Sequence, residues 1–160
     1  MIYTFLLALT LLSSTIVHQG TAPQSILAKD CGGNNISPEL HWSTVPTGTK
    51  SFALVMYDAD APGAGYYHWV LYDIPGTTHA LAAGANPTGA TFGTNSNGTA
   101  DYYGPCPPPG NKHHYATFIY ALDVPKLPPG SKPLTGFDLQ KQMKGHILGH
   151  AVIVVTYETH

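Results

Sequence analysis

Ser51-Phe52-Ala53-Leu54-Val55-Met56-Tyr57-Asp58 and His68-Trp69-Val70-Leu71-Tyr72-Asp73-Ile74 decide the fold. Both runs are nearly continuous in apolar residues and rich in Val, Leu, Phe and Tyr. They read as two strands buried on both faces. Pro62-Gly63-Ala64-Gly65 between them is a turn that lets the second strand return beside the first. The acidic pair Asp58 and Asp60 closes the first strand, and His68 opens the second. Residues i and i+2 of an extended chain share a face, so both carboxylates are expected to point the same way, with His68 close by. Tyr57, Tyr66 and Tyr67 give that corner an aromatic rim. An acidic pair with an imidazole suits a small polar ligand, anionic or zwitterionic.

Outward from these strands the chain keeps turning. Leu40-His41-Trp42 is a short strand, His113 to Leu122 a long one, and Ala151 to Tyr157 a closing one. Asp138 to Leu148 is the one good helix candidate, with Leu139, Met143 and Ile147 at i, i+4 and i+8. Pro75 to Gly110 is dominated by Gly, Ala, Thr, Asn and Pro, too long for a structureless connection without a function. It ends in the stiff run Tyr102-Tyr103-Gly104-Pro105-Cys106-Pro107-Pro108-Pro109-Gly110, whose two tyrosines either stack on a ligand or pack the loop down. Strands with frequent turns and one late helix imply a mainly β sandwich or barrel.

The 160 residues suffice for one domain with a sizeable core, and only 10% of them are charged. A net charge of −2 gives no sign of the basic surface a nucleic-acid partner needs, and none is expected. All seven cationic side chains are lysines, so no guanidinium fork is available for an anion. Backbone N–H groups, His, Tyr or Lys must then hold it. Nine histidines make near-neutral pH dependence an expectation.

Cys31 and Cys106 lie in Gly/Pro-rich loops, as a disulfide in an oxidising compartment or as two thiols in a reducing one. Their spacing fits no structural metal site. Of the histidines outside the corner, only His146 and His150 have ligand-like spacing, so no metal or other cofactor is expected. The apolar run Ile2 to Val17 reads either as a signal-peptide core, with residues 1–20 removed, or through Leu9 to Val17 as the first strand. Residues 21–160 form a single domain, to which the second reading adds the strand Leu9 to Val17. The first implies export to a periplasmic or extracellular space, the second allows a cytoplasmic protein.

An ordered set of short motifs adds to this. Asn35-Ile36-Ser37-Pro38-Glu39-Leu40, Gly48-Thr49-Lys50-Ser51-Phe52, Asp58-Ala59-Asp60-Ala61-Pro62, His68-Trp69, Gly104-Pro105 through Pro109-Gly110 with His113-His114-Tyr115, and Gly145-His146-Ile147-Leu148 occur in sequence. With them the chain resembles the phosphatidylethanolamine-binding protein family, in its bacterial, Raf-kinase-inhibitor-like branch. The resemblance implies a two-sheet β-sandwich with a small C-terminal helix. It also implies an anion pocket at one end, lined by Asp58, Asp60, Tyr66, His68, Gly104, Pro105, His113 and Tyr115. A phosphate-like anion or phosphoethanolamine head group is the implied ligand, a protease or kinase the implied protein partner, and a homodimer the implied assembly.

The alternative role is that of an inhibitor acting through its surface loops, with the pocket vestigial. No Gly-x-Ser-x-Gly nucleophile motif occurs, so the expectation is a binding protein and not an enzyme. A hydrolase built on Asp60 and His68 is the competing possibility. The chain departs from the family pattern at Ala59, where Asp-Pro-Asp is usual, at Tyr66-Tyr67, and at His114, where Arg is frequent. His113 and His114 are adjacent in a strand and face opposite sides, with His113 expected inside.

Overall fold

The computed structural model describes residues 8–130 and 132–160. Its nine strands are β1 (Thr10–Leu12), β2 (Gly20–Thr21), β3 (Leu40–Ser43), β4 (Ser51–Asp58), β5 (Tyr66–Pro75), β6 (Ala80–Leu81), β7 (Thr91–Phe92), β8 (His113–Leu122) and β9 (Ile147–Tyr157). One helix, α1 (Gly136–Met143), precedes the last strand. They build a three-stranded sheet in the order β1-β3-β6 and a six-stranded sheet in the order β2-β9-β8-β4-β5-β7. Every ladder is antiparallel except β2 with β9.

The continuous apolar character of β4 and β5 follows from two coverings. Phe52, Leu54, Met56, Trp69, Leu71 and Ile74 face the smaller sheet and join Leu11, Leu40 and Trp42 in the main core. Ala53, Val55, Val70 and Tyr72 face the other way, where Leu139 and Met143 of α1 and Leu127 and Leu134 cover them. An antiparallel sheet with a wet outer face would alternate; here a helix dries it.

α1 is shorter than the periodicity predicts. Thr135 caps it, its side chain accepting from the Asp138 N–H. Gly145, at φ +87°, takes a left-handed conformation that the helix does not tolerate. Ile147 and Leu148 therefore belong to β9, and the third step of the i, i+4, i+8 pattern is a strand residue. His146 and His150 share no helix: the His146 ring pairs with Asp123 at 2.8 Å, while His150 lies beside Tyr120.

The amino-terminal run contributes β1, and Leu9, Leu11 and Ile16 are buried in the main core. The first part of the proposed leader, residues 1–7, lies outside the described residues. Among the described residues no helix is long and apolar enough to cross a membrane. Cys31 and Cys106 form a disulfide, with Cα atoms 5.5 Å apart.

Candidate functional site

Three neighbouring strands of the large sheet end side by side and build the site. Asp58, the last residue of β4, pairs across with Tyr66 of β5 and Tyr115 of β8. His113 stands two residues before Tyr115 and shares its face. On β5 the register slips between Met56–Trp69 and Tyr57–Tyr67, which leaves His68 as the extra residue of a β-bulge. Bulges re-aim side chains, and this one brings His68 to the same side. Its ring lies 4.7 Å from that of Tyr66 and 5.2 Å from that of Tyr115.

These five residues form one side of a cavity of about 260 Å³. The opposite side is the stiff loop, through Tyr103, Cys106, Pro107 and Pro108, and Ala61 and Pro62 form the lip. No lysine lines it.

The two carboxylates part company. Asp58 is buried, and both its oxygens are occupied: Oδ2 accepts from His113 Nδ1 at 2.7 Å and Oδ1 from the Asp60 N–H at 2.9 Å. Asp60 does not line the cavity. The chain has left the strand by then, so the i, i+2 rule no longer applies, and its half-exposed carboxylate turns outward. There Oδ2 accepts from both the backbone N–H and the ring Nδ1 of His114, at 2.8 and 2.7 Å. The His114 side-chain hydrogen bond, with help from its backbone N–H, lowers the Asp60 pKa. An Asp60–His68 pair, the basis of the hydrolase expectation, is therefore not formed.

Gly104 and Pro105 stand behind the wall and do not line it. The Gly104 N–H donates to Asn35 Oδ1 at 2.8 Å, and the Pro105 carbonyl accepts from the Ala28 N–H at 3.1 Å. Neither group is free for a ligand. Glycine is required at 104 because a Cβ would sit 2.2 Å from the Ile26 carbonyl oxygen and 2.5 Å from the Ala28 nitrogen. Their part is to hold the loop, as the disulfide does from Cys106.

The tyrosine pair divides its roles. Tyr102 packs the loop down, its hydroxyl donating to the Ile26 carbonyl at 2.7 Å. Tyr103 lines the cavity, stacked on His68 at 13° with centroids 6.2 Å apart. Of these wall residues the sequence leaves Tyr103 open between stacking on a ligand and packing the loop, and does not mark Cys106, Pro107 and Pro108 as lining. The proline run is the one signal that would have found them, since it fixes a stiff wall.

Both inward imidazoles are anchored through Nδ1. His68 Nδ1 donates to the Tyr103 carbonyl at 2.7 Å and His113 Nδ1 to Asp58. Among the described residues neither Nε2 makes a hydrogen bond, so each is a lone pair when neutral and a donor when protonated. Burial disfavours the charged form of His68 and lowers its pKa, against the Tyr103 carbonyl, which favours it. Tyr115 is buried and its hydroxyl has no hydrogen-bond partner among the described residues. Burial, with Asp58 nearby, raises its pKa and keeps it a neutral donor.

A two-sheet sandwich with a small aromatic and histidine-bearing cavity at the ends of its central strands defines a class of β-sandwich proteins. Residues 13–158 match the family described as phosphatidylethanolamine-binding protein, and the chain belongs to that family. YbcL of Escherichia coli, a UPF0098 protein, is 42% identical over 137 residues, covering 80% of this chain and 74% of that protein. A UPF0098 protein of Methanothermobacter thermautotrophicus is 43% identical over 133 residues, or 79% and 85% of the two chains. The crystal structure of E. coli YbcL, described as a new member of the mammalian PEBP family, superposes with a TM-score of 0.90 at 35% identity. It covers 96% of this chain and all of that one. A Chlamydia trachomatis homologue, CT736, gives a TM-score of 0.85 at 34% identity over 96% and 99% of the two chains.

Proposed function

We propose that the cavity binds a small phosphate-like anion, free or as the phosphoethanolamine head group of a lipid, and that binding takes up a proton. The carrying observation is the buried, unpartnered hydroxyl of Tyr115 on the cavity wall. An orphaned donor in a dry site costs stability until an acceptor arrives. The arrangement of the carboxylates lessens the repulsion an anion would meet, since Asp58 spends both oxygens on protein donors and Asp60 faces away. The remaining polar groups are the two imidazole Nε2 atoms and the hydroxyls of Tyr66 and Tyr103. No permanent cation lines the cavity, so positive charge enters with a proton.

We further propose that the protein acts as a binding protein, not an enzyme, and that a bound head group modulates a partner protein. The disulfide supports an exported location, because such bonds persist in oxidising compartments. NMR titration with phosphate and with phosphoethanolamine at pH 5.5 and pH 8 tests the reading. The expected result is saturable shifts at His68, His113 and Tyr103, tighter at pH 5.5, with phosphoethanolamine separating a head-group preference from plain phosphate. No shifts at millimolar ligand, or a flat pH profile, would overturn it in favour of an inhibitor working through its loops.

A further inference from the structure

Asn35 does not line the histidine cavity, yet its side chain reaches two consecutive peptide groups of the cavity wall. Its Nδ2 donates to the Tyr102 carbonyl at 3.2 Å, and its Oδ1 accepts from the Gly104 N–H at 2.8 Å. A carbonyl on one side and an N–H on the other leave the amide one orientation that satisfies both. The same two peptide groups are held from their far side by His68. The Tyr103 N–H donates to the His68 carbonyl at 2.9 Å, and the Tyr103 carbonyl accepts from His68 Nδ1 at 2.7 Å. Asn35 and His68 thus clamp residues 102–104 between them.

A trans peptide is planar, so its N–H and its C=O point in opposite directions. Fixing the Gly104 N–H on Asn35 therefore aims the Tyr103 carbonyl at His68. An acceptor in that place requires Nδ1 to carry a proton, in the neutral ring as well as in the charged one. Nε2 is then the nitrogen that gains and loses the proton. Were the peptide turned over, the Gly104 N–H would face Nδ1, and the neutral ring would carry its proton on Nε2 instead. The other groups around the ring do not make this choice. Tyr66, Tyr103 and Tyr115 meet it through their rings, and Asp30 lies beyond the Tyr103 hydroxyl. Asp58 and His113 act on its charge in opposite senses and hydrogen-bond to each other.

We propose that Asn35 is a positioning residue of the histidine cavity. Through the peptide group between Tyr103 and Gly104 it keeps His68 in the Nδ1–H tautomer, so that a proton taken up with an anion lands on Nε2, the nitrogen left for the ligand. The destination of the proton rests on the anion reading above; the tautomer does not. The residue type fits the task. Asn35 has φ +56°, in the left-handed region that asparagine enters more readily than most side chains. Its short amide presents a donor and an acceptor on separate atoms, as two successive peptide groups require. His113 has a different anchor, the Asp58 carboxylate, and serves as the internal control.

Ring-nitrogen NMR shifts of the ligand-free protein at pH 8 read the tautomer directly. In the wild type both His68 and His113 are expected as Nδ1–H, a measurement that needs no variant. Asn35→Gly removes the amide while keeping the left-handed backbone and the bond from its N–H to the Leu27 carbonyl. It should shift His68 toward Nε2–H and leave His113 unchanged. The ratio of phosphate affinity at pH 5.5 to that at pH 8 should fall about threefold or more. Asn35→Asp retains an acceptor for the Gly104 N–H and should keep the wild-type tautomer. His68 found as Nε2–H in the wild type, or Nδ1–H retained in full by Asn35→Gly, would overturn the positioning role. So would an equal loss of phosphate affinity at both pH values, the signature of a wall that merely loosens. Expected tautomers with no phosphate binding at either pH would overturn the anion reading and, with it, the destination of the proton.

Discussion

Asp58 and Asp60 are the same residue type two positions apart, yet their surroundings give them unrelated work. Asp58→Ala strands two donors, His113 Nδ1–H and the Asp60 N–H. The buried His113 donor costs about 1–3 kcal/mol when orphaned and the part-buried Asp60 N–H less, so urea unfolding should show a loss of roughly 1–4 kcal/mol. Asp60→Ala removes a half-exposed pair with His114 and should cost no more than about 1 kcal/mol. Because the folded Asp60 pKa is lowered, its contribution is present above the ordinary carboxylate range and disappears as pH falls through the folded value. Tyr115→Phe deletes only the orphaned hydroxyl. It should leave the melting temperature unchanged or higher and weaken phosphate binding about tenfold, as read by NMR titration. Were Tyr115→Phe to bind phosphate as well as the wild type, the hydroxyl would have no part in the site.

At the scale of elements, the site depends on one loop pinned to another. The Cys31–Cys106 bond, the Asn35 amide and the Ala28–Pro105 hydrogen bond tie residues 102–108 to residues 26–35. The disulfide spans 75 residues of sequence. Replacing both cysteines by serine should lower stability by about 4 kcal/mol in the loop-entropy account. Hydrogen exchange should then rise first at residues 103–110, while β8 keeps its protection. Equal loss of protection in β8 would contradict a local role for the bond. Gly104→Ala reaches the same wall by another route. Its Cβ would meet two backbone atoms that belong to the pinned partner loop, so ligand binding should fall together with stability.

Taken whole, the molecule carries its charge-sensitive group inside. Burial lowers the folded pKa of His68 below its ordinary 6.5. Between the two values the unfolded chain binds more protons than the folded one, so stability falls as pH drops through about 6.5. A bound anion favours the protonated ring and opposes that fall. Thermal melts from pH 8 to pH 5 should therefore show a declining midpoint without phosphate and a smaller decline with it, the gap widening toward acid. A constant gap would mean that binding takes up no proton.

Much of this was legible beforehand, for identifiable reasons. The bounds of β4 and β8 follow from apolar runs cut off by turn residues, and the family follows from short motifs in a fixed order. Asp58, Tyr66, His68, His113 and Tyr115 sit on or beside those strands, where period and pairing carry their side chains to one end. Asp60, Gly104 and Pro105 fail as lining residues because they lie beyond regular structure, where the direction of a group is set by whichever partner it meets.

The sequence by itself determined a mainly β domain of this family, with its buried central strands and its histidine and acidic corner, because strand period and apolar content are local properties. Only the tertiary structure decided which carboxylate faces inward, which tyrosine lines the cavity, and that the two cysteines join. Those outcomes turn on hydrogen-bond competition between segments such as 26–35 and 102–108, distant in the chain and adjacent in space, and no spacing along one segment encodes the winner.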